Sequence, residues 1–143
     1  MFDSYTRRTI LQTLLAGWAL PAAGNAADAA AILTAVTTVG QSRLDRQPFG
    51  DLRVFLEGRT EQLKSLTVGS LALKPGQSPH APHTHPEEEI LLITEGRGEI
   101  SLEGKVTKVV AGDVMYAGSN RLHGITSSSD APMTFYYFKW LGK

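Results

Sequence analysis

From Leu44 to the C-terminus, the chain consists of short segments rich in β-branched and aromatic residues, separated by glycine, proline, asparagine and aspartate. Short apolar segments bounded by such turn residues are typical of β-strands. No segment after Ala35 has a sustained helical period, although residues 61–66 are compatible with one helical turn. The pattern predicts eight strands, at residues 51–57, 63–73, 89–94, 98–102, 105–110, 113–117, 121–126 and 133–141.

Eight short strands predict an all-β domain, and two architectures fit: a β-sandwich or a closed barrel of the jelly-roll type. The dipeptide Glu103-Gly104 separates two of the predicted strands. Glycine at this place supplies the positive φ that a tight turn requires, so we expect a β-hairpin here. The last predicted strand, Phe135–Trp140, is apolar on both faces. This indicates a core on one face and a dimer or N-terminal packing surface on the other.

The first thirty residues follow a different pattern, in which basic, apolar and small residues succeed one another. Arg7-Arg8 precedes the apolar run 9–20, and small residues fill positions 22–31. This order is typical of an export signal, and the apolar run is shorter than the roughly 20 residues that cross a bilayer. We therefore predict a cleavable signal at residues 1–29, with cleavage after Ala26 or Ala29, and no membrane span in the mature protein.

The residues around the paired arginines, Thr6-Arg7-Arg8-Thr9-Ile10-Leu11, resemble the bacterial twin-arginine signal. The resemblance implies a periplasmic or secreted protein. The alternative is an N-terminal amphipathic helix that packs on the domain. The predicted organisation is a signal segment, an N-terminal arm at residues 30–50 and a β-domain at residues 51–143.

The composition excludes several function classes. The 143 residues limit the chain to one domain, and 14 basic residues balance 14 acidic ones, so no charge excess favours nucleic acid as a partner. There is no cysteine, which excludes disulfides, thiolate nucleophiles and cysteine-ligated metals. Any metal must therefore be held by histidine or by oxygen ligands, and the chain has only four histidines.

Three of these histidines form a pattern with one carboxylate. His83 and His85 are separated by one residue, and Glu89 has the same parity, so an extended chain projects all three side chains from one face. Leu91 has the same parity, so an apolar side chain follows the polar ones on this face. This arrangement is expected for a ligand cluster at the mouth of a barrel with a packed interior. His123 lies on another predicted strand. Three imidazoles and a carboxylate suit divalent iron, manganese, nickel, copper or zinc.

The segment from Gly76 to Gly96 resembles the first motif of the cupin superfamily, in which a glycine is followed by His-x-His, a glutamate and a second glycine. The spacing agrees except for one extra residue after Gly76. The second cupin motif is matched by Gly112 and His123, whereas Asn120 stands where the motif has glycine. Asparagine is well suited to the left-handed conformation that this turn needs.

The resemblance implies a small, single-domain jelly-roll barrel that often dimerises. It also implies the metal ligands His83, His85, Glu89 and His123, with Glu89 able to act as a catalytic proton acceptor. His80 has no counterpart in the motif, so we expect a solvated side chain or an outer-sphere donor. Three arginines are candidates for binding a substrate carboxylate, although surface charge is the simpler interpretation: Arg53, Arg97 and Arg121.

Two function classes remain open at this point. One is an exported metalloenzyme of the dioxygenase, decarboxylase, isomerase or lyase type, acting on a small organic molecule that ligates metal through oxygen. The other is a non-enzymatic metal-dependent binding, sensing or storage protein, because one barrel hosts many activities. Since twin-arginine cargo crosses the membrane already folded, we expect one divalent metal loaded in the cytoplasm. This favours manganese or iron over zinc, nickel or copper.

Overall fold

The computed structural model describes residues 29–143, in which eight β-strands and one short 3-10 turn make up the regular structure. The 3-10 turn lies at Val39–Gln41. The strands are β1 (Arg43–Gln47), β2 (Gly50–Gly58), β3 (Leu63–Leu73), β4 (Glu88–Leu102), β5 (Lys105–Val110), β6 (Val114–Ala117), β7 (His123–Ser127) and β8 (Met133–Gly142). The predicted all-β fold is confirmed.

All strand pairs are antiparallel, and the long strand β4 belongs to two sheets. Its first half lies between β8 and β6, which completes a six-stranded sheet in the order β1-β2-β3-β8-β4-β6. Its second half lies between β5 and β7 and forms a three-stranded sheet with them. The two sheets face each other across the core, as in a jelly-roll barrel.

Strand β4 corrects one sequence prediction, because residues 89–94 and 98–102 form a single strand. Gly96 has φ of 75°, and the register with β8 shifts between Ile93 and Glu95. Hydrogen bonding to β8 nevertheless continues to Gly96. A Cβ atom at Gly96 would lie 2.1 Å from the carbonyl oxygen of Pro132, so this bend requires glycine. Gly96 therefore marks the place where β4 passes from the six-stranded sheet to the three-stranded sheet.

Strand β1 was not predicted from the sequence and forms part of the predicted N-terminal arm. Its residues, Arg-Leu-Asp-Arg-Gln, alternate weakly and are mostly polar, because β1 is an edge strand that pairs only with β2. The predicted signal segment lies outside the described residues except for Ala29. Between residues 29 and 143 there is no helix of the length and apolarity needed to cross a membrane.

The core lies between the two sheets. On β4, Leu91 and Ile93 face inward before the bend and Ile100 faces inward after it. The inward-facing residues thus change from odd-numbered to even-numbered positions at the bend, and both sets are buried. The predicted hairpin is confirmed, since Glu103 and Gly104 both have positive φ between β4 and β5. The buried apolar residues are Leu71, Leu73, Leu91, Ile93, Ile100, Val109, Met115, Ala117, Ile125, Met133 and Phe135.

Candidate metal centre

The loop before β4 is attached to the start of β7 by a backbone bridge between two histidines. The N–H of His83 donates to the carbonyl of His123 over 2.9 Å, and the N–H of His123 donates back over 3.0 Å. The loop approaches closely here, because a Cβ atom at Gly124 would lie 3.0 Å from the ring of Pro82. This antiparallel bridge places the two imidazoles side by side, although they are 40 residues apart in the sequence.

A second contact positions His85. The N–H of Asn120 donates to the carbonyl of His85 over 2.8 Å, and Asn120 has φ of 58°. Asparagine at the glycine position of the motif therefore adopts the left-handed conformation expected from the sequence. The hydroxyl of Ser119 donates to the carbonyl of Pro86 over 2.7 Å. The turn that precedes β7 thus holds the His85 loop by two hydrogen bonds.

The structure brings His83, His85 and His123 into one cluster. One nitrogen of each ring lies within 4.8 Å of the corresponding nitrogens of the other two. The ring centroids of His83 and His123 are 4.7 Å apart, and those of His85 and His123 are 4.9 Å apart. The His123 side chain is almost completely buried, whereas His83 and His85 are half-buried at the barrel mouth. The structure thus brings together three of the four candidate ligands named from the sequence, and their role as ligands stays a prediction.

Backbone carbonyls determine which nitrogen of each imidazole is free. Nδ1 of His85 lies 3.0 Å from the carbonyl oxygen of Glu87, and Nδ1 of His123 lies 2.7 Å from that of Arg121. A carbonyl oxygen only accepts, so both Nδ1 atoms carry a proton, and in the neutral form of each ring the Nε2 atom presents a lone pair. Nδ1 of His83 is buried and has no hydrogen-bond partner among residues 29–143. This donor set fits a divalent metal ion.

The Glu89 carboxylate faces the Nε2 atoms of His85 and His123. Its Oε2 atom lies 2.9 Å from Nε2 of His123 and 3.7 Å from Nε2 of His85. The Nε2 atom of His123 is buried without an aligned hydrogen bond within the part of the chain that the structure describes. A nitrogen lone pair and a carboxylate oxygen repel each other unless a proton or a metal cation lies between them. Glu89 lies outside the three-histidine cluster, and its roles as fourth ligand and proton acceptor stay predictions.

The local charges favour the protonation state that a metal ligand needs at His83 and Glu89, but they oppose it at His123. Burial lowers the pKa of His83 to about 4, and the neighbouring histidines act in the same direction. Burial by itself raises the pKa of Glu89, but its contacts with His123 and His85 outweigh burial and lower the pKa to about 2. Contact with Glu89 raises the pKa of His123, although burial opposes this shift. At neutral pH His83 is therefore neutral and Glu89 is ionised.

His80 lies beside the cluster but is not a member of it. Its ring packs against the edge of the His83 ring, with the two centroids 3.9 Å apart, and its Nδ1 lies 3.0 Å from the carbonyl oxygen of Ala81. The side chain is exposed. This position agrees with the expectation that His80 is a solvated side chain or an outer-sphere donor.

The three candidate arginines are engaged elsewhere. Arg53 donates to the hydroxyl of Ser42 over 3.1 Å, next to the N-terminal arm. Arg97 and Arg121 each pair with an exposed carboxylate, on Asp130 and Glu103 respectively. Surface charge and ion pairing, the simpler interpretation from the sequence, describe these arginines.

One charged residue near the cluster was missed by the sequence analysis. Lys139 lies opposite Glu89 on β4 and opposite Thr67 on β3. Side chains directly opposite one another in antiparallel strands project from the same face, so Lys139 lies on the face that carries Glu89. The sequence signal was parity, because Lys139 continues the inward-facing positions of Phe135 and Tyr137. Lys139 was missed because the residues around it on the strand are apolar, so the whole strand was interpreted as packing surface.

Residues 69–139 match the family model described as the cupin domain. Among solved structures, the fold is similar to an RmlC-like cupin from Shewanella frigidimarina, with 14% identity, a TM-score of 0.62 and coverage of 75% of this chain and 90% of that chain. A predicted oxalate decarboxylase from Thermotoga maritima has 22% identity, a TM-score of 0.60 and coverage of 75% and 99%.

A cupin protein from Bacteroides fragilis has higher identity, 27%, over a smaller part of both chains. Its TM-score is 0.51, and the alignment covers 53% of this chain and 65% of that chain. The matched residues 69–139 include β4, β7 and all three clustered histidines. The family match, the jelly-roll topology and the solved neighbours together support assignment of this chain to the cupin superfamily.

Proposed function

We propose that this protein is an exported, metal-binding cupin enzyme that acts on a small organic molecule with oxygen ligands. The observation that carries the proposal is the donor set: the Nε2 atoms of His85 and His123 and the buried Nδ1 of His83, beside an ionised Glu89. His83, His85 and His123 would hold one divalent metal, with Glu89 as fourth ligand. Such a metal supplies Lewis acidity toward a substrate oxygen.

The residues around the centre indicate the division of roles. Glu89 is ionised at neutral pH, so it would act as a ligand and, on partial release from the metal, as the proton acceptor. The carbonyls of Glu87 and Arg121 orient His85 and His123. The proposed reaction is of the dioxygenase, decarboxylase, isomerase or lyase type, and manganese or iron is the proposed metal.

Elemental analysis of the purified wild-type protein is the first test, with His123→Ala and His80→Ala as a matched pair. We expect about one divalent metal per chain in the wild type and in His80→Ala, and a loss of nearly all metal in His123→Ala. Full metal content in His123→Ala would contradict the proposed centre.

Oxygen consumption and product formation are then measured with hydroxy acids, flavonols and oxalate. A metal-loaded protein that is inert toward this panel would favour the non-enzymatic binding or sensing alternative.

The export part of the proposal depends on Arg7-Arg8 in the predicted signal segment. We expect the double variant Arg7→Lys, Arg8→Lys to remain in the bacterial cytoplasm with unchanged metal content, because the twin-arginine route reads the paired arginines. Cell fractionation followed by immunoblotting measures this. Normal export of the variant would contradict both the route and the preference for manganese or iron that rests on it.

We also propose that the protein is a homodimer that pairs through the outer face of the six-stranded sheet. Seven large apolar side chains on β3, β4 and β8 occupy this face: Leu66, Val68, Ile90, Leu92, Tyr136, Phe138 and Trp140. Beside them a groove of about 510 Å³ separates the sheet from the N-terminal arm, on which Val36 is 86% exposed.

A second copy is the occupant that fits this face. In a standard interface each partner buries roughly 800 Å², and two copies related by a two-fold axis would cover each other's apolar side chains. Light scattering after gel filtration should therefore give twice the chain mass for the wild type and a monomer for Phe138→Ser. Val106→Ser, on β5 and 58% exposed in the wild type, is the control and should remain dimeric. A monomeric wild type would contradict the proposal.

A further inference from the structure

Lys139 is placed beside the candidate metal centre by the register of the six-stranded sheet. One row of paired residues crosses the sheet from Thr67 through Lys139 to Glu89 and Ala117. Glu89 approaches His123 at 2.9 Å, and Ala117 is buried in the core, so this row faces the barrel interior. Lys139 therefore projects from the inner face, at the position opposite Glu89 on the neighbouring strand.

The Lys139 ammonium is without a partner in the part of the chain that the structure describes. It makes neither an ion pair nor a side-chain hydrogen bond with any residue from 29 to 143. The adjacent Glu89 does not neutralise it, because the contacts of that carboxylate are with the histidines. The residue is half-buried, and the positive charge of Lys139 acts against the rise in the pKa of His123. An ammonium near the cluster is thus available to an anion.

The other cation on this inner face is occupied. Arg43 shares a row with Gly69 and Tyr137, and it pairs with Glu57 at 3.2 Å. Among the described residues of the inner face, Lys139 is therefore the cation that a ligand can contact without breaking an ion pair. A lysine ammonium recognises a carboxylate as a compact point charge.

We propose that Lys139 binds the carboxylate of a small organic acid whose second oxygen function reaches the metal. The ligand class is that of 2-hydroxy and 2-oxo carboxylates, which carry both oxygen functions on adjacent carbons. The proposal rests on the proposed metal centre and names the substrate class of that centre. Lys139 acts in binding and specificity, and the metal ligands are the three histidines and Glu89.

Calorimetric titration of the manganese-loaded full chain with glycolate and with glycolamide tests this. Glycolamide keeps the hydroxyl group and replaces the carboxylate by an uncharged amide. We expect glycolate to bind the wild type more tightly than glycolamide does. We expect Lys139→Met to weaken glycolate binding by about tenfold or more, because a hydrogen-bonded charge is lost, with little change for glycolamide. Lys139→Arg, which keeps the charge, should retain most of the preference for glycolate.

Controls separate this proposal from the proposed function. Lys105→Met, an exposed position in the β4–β5 hairpin, should bind glycolate as the wild type does. Manganese content and the thermal unfolding midpoint are measured for every variant, and both should be unchanged. Failure of the wild type to bind manganese would contradict the metal centre itself. Equal glycolate affinity of the wild type and Lys139→Met at full manganese content, or a wild type that binds manganese but not glycolate, would overturn the role of Lys139.

Discussion

The inner face of the six-stranded sheet has two ends with different chemistry. On β4, Glu89 lies at the mouth and Ile93, four residues further along, is 1% exposed. On β8, Lys139 lies at the mouth and Phe135, four residues earlier, is 3% exposed. Thr67 on β3 continues the polar row at the mouth. Within about 13 Å along the strands, the same face changes from a charged site to a closed core.

This comparison shows how one alternating pattern produces both a core and a site. Inward-facing apolar residues at the closed end are in contact across the two sheets, so they stabilise the fold. At the mouth, the inward-facing Glu89 meets His85 of the loop before β4 and His123 at the start of β7, so polar groups stand where the closed end has apolar ones. We therefore expect substitutions at the closed end to change stability and substitutions at the mouth to change ligand binding.

The largest effect is expected at the closed end, for Phe135→Ala. Phe135 is buried on β8 opposite Ile93 and Leu71, so truncation leaves a cavity in the middle of the core. We expect a loss of about 3–5 kcal/mol in the free energy of unfolding, measured by denaturant titration. Lys139→Ala, on the same strand at the mouth, should change it by only about 0.5 kcal/mol. Equal losses for the two variants would contradict the division between the two ends.

A smaller effect is expected where the two ends meet, for Gly69→Ala. A Cβ atom there would lie 2.3 Å from Cζ of Tyr137 and 2.4 Å from the carbonyl oxygen of Arg53. The tyrosine ring can move, but the backbone carbonyl cannot move cheaply, so we expect a loss of about 1–3 kcal/mol in the free energy of unfolding. Gly142→Ala is the matched control, because nothing lies within 4 Å of a Cβ atom there. A neutral Gly69→Ala would show that β2 and β3 separate easily.

The smallest effect is expected outside the cluster, for His80→Ala. Within residues 29–143, this exposed side chain packs against the edge of the His83 ring and approaches the carbonyl oxygen of Ala81. We expect a change within about 0.5 kcal/mol in the free energy of unfolding, together with unchanged metal content. His83→Ala removes a half-buried member of the three-histidine cluster, so this variant should instead lose the metal. Loss of metal in both variants, measured by elemental analysis, would make His80 a fourth imidazole ligand.

Several features of the fold were predictable from local sequence, because they depend on short-range chemistry. The positive φ of Gly104 and of Asn120 follows from residue type and turn geometry. Strand β1 was not predictable, since an edge strand exposed to solvent needs no apolar alternation. The continuity of β4 was not predictable either, because glycine at position 96 indicates a turn unless the pairing with β8 is known.

By itself, the sequence determined the all-β class, the hairpin and the set of histidines, since parity and residue type are local properties. Tertiary structure decided which side chains meet. The bridge from His83 to His123 joins residues 40 positions apart, and the row that places Lys139 beside Glu89 depends on the register of β8 against β4. The physical reason is that strand register arises from long-range pairing and burial, which no local spacing in the chain encodes.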